Sequence, residues 1–186
     1  MAAGYLYPGR MSRLSAALRR RALATAYPVF YRLPHRVRMW LVRRVAPTYT
    51  VGAVVLVRDE TGNRLLLLRQ PPGRGWSLPA GLLARGESPV EGALRELAEE
   101  SGIVLAADDL RPAVPNAMVH HRGRWVDMVF EAAVPAATTR LRVDGAEVWE
   151  AAWHHLAELP PLTHPTARLL GHYGIGPLAE HEPDLA

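Results

Sequence analysis

The chain has no cysteine in its 186 residues. That excludes disulfides, thiolate metal sites and a cysteine nucleophile; it fits a reducing compartment, so a cytoplasmic location is the expectation. Lysine is absent too: all 22 basic residues are arginine, a bias that codon usage can produce without any chemical demand. No apolar run approaches the ~20 residues needed to span a bilayer. Acids are missing from the first 47 residues, which nevertheless carry ten arginines. The remainder holds 12 arginines against 18 acids, a net charge of −6. The overall charge of +4 therefore misdescribes both parts. No internal repeat or low-complexity tract is visible. A hydrophobic content of 49% is enough for one ordinary domain with a real core and an extension.

Residues 1–47 form that extension. Ser12 to Ala26 has helical character, with Leu14, Ala17, Leu18, Ala22 and Ala26 on or near one side, and Pro28 is expected to interrupt it. Pro34 opens a second segment in which Val37, Trp40, Leu41 and Val45 fall at i, i+3, i+4 and i+8, and Pro47 closes it. Three readings stay open for these basic amphipathic helices. They pack on the domain or on a sister subunit of a homodimer, they meet anionic lipid or nucleic acid, or they are an organelle-targeting peptide. Packing is favoured, because Pro47 directly precedes the first core strand. A secretory signal is not expected, because arginines break up any apolar region.

From Thr48 the pattern turns to strand. Tyr49 to Val57 is rich in β-branched residues, Asp59 to Asn63 supplies a turn, and Arg64 to Arg69 reads as the returning strand. Pro71 to Gly75 is a loop. Later, Asn116–His121 and Arg124–Val134 read as a hairpin around Arg122-Gly123. Arg140–Val143 and Glu147–Trp153 read as further strands around Asp144-Gly145. His154–Leu159 and Pro165–His172 look helical, and residues 173–186 read as a loose tail. Short strands with a few helices indicate α+β.

Between these lies the stretch that concentrates the chemistry, Gly81 to Ile103. Ser88 is a candidate N-cap, Pro89 suits the first helical position, and Glu91 completes a capping box. Val90, Ala93, Leu94, Leu97 and Ala98 make an apolar face, and Gly102 suits the helix end. Glu96, Glu99 and Glu100 stand at i, i+3 and i+4, so their carboxylates project together on another face and repel one another. The bland reading is a solvated acidic face. The sharper one is a site for a hard divalent cation, Mg²⁺ or Mn²⁺, which takes carboxylate oxygens and relieves the repulsion.

The same stretch resembles the Nudix box, G-x5-E-x7-R-E-U-x-E-E-x-G-U with U apolar, in which Gly81, Glu87, Arg95, Glu96, Leu97, Glu99, Glu100, Gly102 and Ile103 occupy every defined position. Trp76-Ser77-Leu78-Pro79-Ala80 is similar to the lead-in common in that family and suggests that Gly81 sits on a strand-to-loop corner. The resemblance implies an α/β/α sandwich around a mixed β-sheet over residues 48–172. It also implies Mg²⁺- or Mn²⁺-dependent cleavage of a diphosphate in a nucleoside diphosphate linked to another moiety. Metal ligands would be Glu96, Glu99, Glu100 and, carried over from the family, the Gly81 carbonyl. A Nudix-like module that senses a nucleotide without cleaving it is the alternative, though such modules usually have damaged boxes.

Other roles are read from the residues. Arg95 is adjacent to Glu96, so its side chain points elsewhere and orients a carboxylate such as Glu87 or Glu99. Candidates for the base that activates water are Glu99, Glu147 and Glu150. Arg69 and Trp76 precede the box and are candidates to hold phosphate and to stack a base. His120 and His121 face opposite ways on a strand, and neither is taken as catalytic. Leu78-Pro79-Ala80-Gly81 is similar to ADP-ribose hydrolases, but Pro115 comes too early for their downstream proline, so the substrate stays open.

Overall fold

The two contrasting stretches of sequence fold as two units. The computed structural model describes residues 13–120 and 124–179, and the chain divides into Met1–Thr48 and Tyr49–Ala186. The first unit contains α1 (Arg13–Arg32) and α2 (His35–Val45). The expected start at Ser12 lies outside the described residues. Pro28 does not interrupt the first helix, which runs on to Arg32. A proline inside a helix loses one backbone hydrogen bond and costs about 3 kcal/mol. Aromatic contacts around it offset part of that: Tyr27 stacks on Tyr31 at 6.4 Å, and Phe30 meets Tyr31 edge-on at 5.6 Å. Pro34 caps α2, with Val37 and Arg38 donating to its carbonyl.

The second unit runs β1 (Thr50–Asp59), β2 (Arg64–Arg69), β3 (Trp76–Ser77), β4 (Ala80–Leu82), α3 (Pro89–Ser101), β5 (Arg111–His120), β6 (Trp125–Val134), β7 (Glu150–His155) and α4 (His164–Gly171). All seven strands share one sheet, with path β3-β2-β1-β6-β5; β4 also pairs β1, and β7 pairs β2. The β1–β6 pair is parallel and the others antiparallel, so the sheet is mixed.

Alternation along the strands separates two cores. Ala53, Val55 and Val57 of β1 and Leu66 of β2 pack with Ala93 and Leu97 of α3 on one face. Val54, Leu56, Leu65 and Leu67 pack with Leu169 and Leu170 of α4 on the other. β1 and β2 are buried on both sides, which is why they read as continuous apolar runs. The result is the expected α/β/α sandwich.

Several local expectations are corrected. Arg140–Val143 is not a strand: Arg142 N–H donates to Ser101 O at the end of α3, which takes that backbone out of any ladder. Glu147 is not on a strand either. The Asp144 carboxylate accepts the N–H groups of Ala146, Glu147 and Val148, folding the segment into a turn, and β7 begins only at Glu150. His154–Leu159 is not an α-helix. It is the end of β7 and one 3₁₀ turn, Leu156–Glu158, because His154 and His155 still pair with Leu65 and Arg64. Gly81 lies inside β4, opposite Ala53, rather than at a corner. The β5–β6 pairing is as expected, but β5 starts at Arg111, and Arg122-Gly123 and His121 lie outside the described residues. Packing continues past residue 172 to Ile175, which is buried against α4.

Candidate active site

The helix that carries the acids is fixed at both ends. Ser88 Oγ accepts from Glu91 N–H, while a Glu91 carboxylate oxygen accepts from Ser88 N–H at 2.8 Å. Gly102 closes α3 in the left-handed region at φ 74°, where a side chain would be strained. With Ala93 and Leu97 locked into the core, the rotation of the helix is determined, and so is the direction of each acid.

The three acids do not share one environment. Glu99 is exposed, whereas the Glu96 side chain is largely covered and Glu100 is only 7% exposed. Glu100 points at the sheet. It accepts from Gln70 Nε2 at 2.6 Å and from Ala80 N–H at 2.8 Å. Gln70 Oε1 in turn accepts from Ser77 Oγ at 3.0 Å, which turns the amide so that its NH₂ faces Glu100. Burial, above all, pushes the Glu100 carboxyl up to about 7; the charges of Glu96 and Glu147 add to it, and the Ala80 and Gln70 hydrogen bonds oppose it. Glu96 lies over Gly81, where any Cβ would overlap its carboxylate. Glycine at 81 is therefore required by the approach of Glu96.

Arg95 ties the cluster together. Its Nε and Nη2 donate to the two oxygens of Glu87 at 2.8 and 3.0 Å, and Nη2 also donates to Leu82 O. Its Nη1 donates to Glu96 at 2.7 Å and to Glu99 at 3.0 Å. The expected pairing with Glu87 and Glu99 is present. The expectation that Arg95 points away from Glu96 is corrected, because a guanidinium is long enough to fold back on its neighbour. Hydrogen bonds from Arg95 and then from Ala84 N–H hold the Glu87 carboxyl down at about 2. Glu87, first of all, pushes the Arg95 guanidinium further above its ordinary range.

The remaining candidates fall in different places. Glu147 is close enough to Glu100 for its charge to act there, and the Asp144 turn holds its backbone. Arg69 and Glu150 face each other across β2 and β7, 3.9 Å apart and both about half exposed. Trp76 packs on the α4 face, edge-on to His154 at 4.4 Å, and is not brought to the acids of α3. His120 pairs with Asp127 at 2.9 Å and stacks on Trp125. Trp125 and Asp127 border a cleft of about 400 Å³ that includes Gly52, whose Cβ would stand 3.0 Å from Gly81 O and 3.3 Å from Asp127 Oδ1. Register with Gly52 and the packing of Val129 put Asp127 on the α4 face. Gln70 and Ser77 were missed from sequence, since their roles arise from partners on other elements, and Asp144 was read only as part of a turn although its carboxylate binds the next backbone N–H groups of its own loop.

With this arrangement in view, the comparisons with known proteins decide the family. The NUDIX domain family matches residues 48–172. The chain belongs to the Nudix family. A MutT-like protein from Streptomyces ambofaciens is 37% identical over 70 residues, 38% of this chain and 45% of that one. This chain spans less than half the length of such curated relatives. Among solved structures, a MutT NUDIX hydrolase from Burkholderia pseudomallei aligns with TM-score 0.52 and 27% identity, over 64% of this chain and 93% of that one. The NUDIX domain of Shewanella oneidensis NrtR, complexed with ADP ribose, aligns with TM-score 0.55 over 70% of this chain and 89% of that one; at 18% identity it supports the fold alone.

Nudix hydrolases generally use divalent metals, and the donor set fits a hard cation. Glu96, Glu99 and Glu100 offer only oxygen, and a buried carboxylate crowded by like charges gains most from a cation. Among the described residues no three such side chains already converge on one point. Arg95, placed on both Glu96 and Glu99, supplies the compensating charge meanwhile.

Proposed function

We propose that this Nudix protein hydrolyses a diphosphate linkage in a nucleoside diphosphate joined to another moiety, with Mg²⁺ or Mn²⁺ held by Glu96, Glu99 and Glu100. The observation that carries this is the inward turn of Glu96 and Glu100. A merely solvated acidic face would leave all three acids in water, yet Glu100 is buried with its carboxyl at about 7. When bound, the cation supplies charge neutralisation of the diphosphate and acidification of a water. Every other step belongs to side chains.

Glu147 is assigned to accept the proton of the attacking water, because its charge is felt at Glu100 while Glu99 is engaged by Arg95. Water adds its oxygen to phosphorus, the bond to the bridging oxygen breaks, and the bridging oxygen leaves with the other product. Arg95 positions Glu96 and Glu99 and keeps their charges paired between turnovers. Arg69, half exposed and 3.9 Å from Glu150, is the register partner of Trp76 and shares the alternation of Leu65 and Leu67, so it lies on the α4 face and is left out of this site. Trp76 is left out of this site because it packs on the opposite face of the sheet. The family's Gly81 carbonyl ligand is kept as part of the proposal.

The test is a screen of ADP-ribose, nucleoside triphosphates, nucleotide sugars and dinucleoside polyphosphates with Mg²⁺ or Mn²⁺, scored as released phosphate or nucleoside monophosphate. ADP-ribose goes first, given the ligand of the NrtR domain and the Leu78-Pro79-Ala80-Gly81 lead-in. Glu147→Gln should depress turnover strongly while leaving metal affinity nearly intact. A wild-type rate in that variant would move the base to Glu99 or Glu150. Tight nucleotide binding without turnover by the wild type would make the protein a sensing module instead.

A further inference from the structure

We propose that α2 and the C-terminal half of α1 form a binding surface for anionic phospholipid bilayers. This unit lies outside the NUDIX match, which begins at residue 48, so the catalytic reading does not account for it. Within it there is no carboxylate at all: the first acid of the chain is Asp59. Its arginines must find anions outside the unit.

Charge alone would suit nucleic acid equally. The apolar side chains make the difference. On α2, Val37, Leu41 and Val45 stand at i, i+4 and i+8 with Trp40 beside them, forming one stripe. No residue of α2 is buried; Trp40 is 58% exposed and Val45 86%. On α1, Tyr27, Val29 and Tyr31 are also exposed. Phosphates of a nucleic acid offer no apolar phase for valines, whereas the boundary between headgroups and acyl chains takes valine, tryptophan and tyrosine together.

Arginine placement fits the same geometry. Arg44 lies over the Trp40 ring at 5.4 Å and Arg38 over the Tyr31 ring at 5.7 Å, so charged heads sit beside the aromatic rings that would enter the interface. Arg36 and Arg43 are exposed as well. Long arginine stems allow the guanidinium to stay at phosphate level while neighbouring valines go deeper. Among the described residues no helix is long and apolar enough to cross a membrane, so the binding mode is one of lying on the surface.

The experiment is vesicle flotation of the full-length protein. Vesicles of phosphatidylglycerol in phosphatidylcholine should carry roughly tenfold or more protein than phosphatidylcholine alone. Raising salt should weaken the binding without abolishing it, since the apolar part is not screened. Trp40→Ser with Val45→Ser, which preserves every charge, should lose most of the flotation; Arg43→Ser with Arg44→Ser should lose it too. Circular dichroism and the melting temperature of each variant confirm that it is folded. The proposal is overturned if anionic vesicles bind no better than neutral ones, or if the Trp40/Val45 variant floats like the wild type. It is also overturned if single-stranded RNA competes fully with the vesicles and binds both variants according to charge alone, or if the two apolar substitutions change only the oligomeric mass. None of these readouts depends on catalysis, so the hydrolase reading stands or falls separately.

Discussion

The Met1–Thr48 unit and the Tyr49–Ala186 unit are held by different physics. The second has strands whose side chains reach zero exposure on both faces of a sheet, such as Val55, Leu56, Leu66 and Leu67. The first is two helices with Tyr27, Trp40, Val42 and Val45 exposed, and α2 has no fully buried residue. In one, burial of apolar area stabilises a single arrangement by roughly 1.5–3 kcal/mol per large side chain. In the other, local helix preference, caps and ring contacts carry the structure. A substitution's effect should therefore depend on the unit it falls in, and an acid is tolerated in the buried unit only where a partner or a reaction needs it.

The largest effect tests that last point. Glu100→Gln removes a ligand charge at the most buried acid and should lower turnover by about a hundredfold or more, since even a ligand's supporting partner is typically worth 10–100-fold. The same variant has a pH signature without metal. The Glu100 carboxyl lies at about 7 in the fold against an ordinary value of 4.5, so the folded state binds this proton more tightly than the unfolded state does. Its stabilising contribution is full below the unfolded value and is lost as pH rises through about 7. Melting curves in chelator should fall across that window for the wild type and fall less for Glu100→Gln. Undiminished activity in the variant, or in excess chelator, would remove the metal assignment and with it the reason for a buried acid.

Next comes the core. Leu97→Ala should cost about 2–5 kcal/mol, measured by denaturant unfolding, because Leu97 is fully buried between α3 and the sheet and its loss leaves a cavity. A cost below 1 kcal/mol would mean that α3 is not anchored as described, and the acids it aims would have no fixed direction.

Gln70→Leu sharpens the comparison inside the site. It removes the donor at 2.6 Å that orients Glu100 while leaving apolar packing possible. Metal affinity, read by calorimetry with Mn²⁺, should weaken about 10–100-fold, and Gln70→Glu should not restore it. An unchanged affinity would make Gln70 a structural neighbour only.

The smallest effect belongs to the first unit. Val45→Ala should change the unfolding free energy of the protein by no more than about 0.5 kcal/mol, as expected at an exposed position. A loss comparable with that of Leu97→Ala would erase the distinction between the two units.

Much of the second unit was legible in the sequence. The Ser88 cap, Pro89 at the helix start and Gly102 at its end bounded α3, because caps and left-handed glycines are local chemistry. The β-branched run and the apolar run after the Asp59–Asn63 turn likewise marked β1 and β2, while the division of their side chains between two faces came only from the packing. The box residues named the carboxylates and the fold, since motif spacing on a helix is read along the chain. Errors fell where a particular contact, local or distant, overrode the preference read from residue type. Pro28 stayed helical beside stacked tyrosines, Arg142 was drawn to Ser101 O, and Asp144 folded Glu147 into a turn. Tertiary structure alone decided that Glu100 is buried while Glu99 is not. One acid meets Gln70 and Ala80 across some thirty and twenty residues of chain, and the other faces water. Helical spacing places three acids on one side, but only the packing of Ala93 and Leu97 against the sheet chooses which of them leaves solvent.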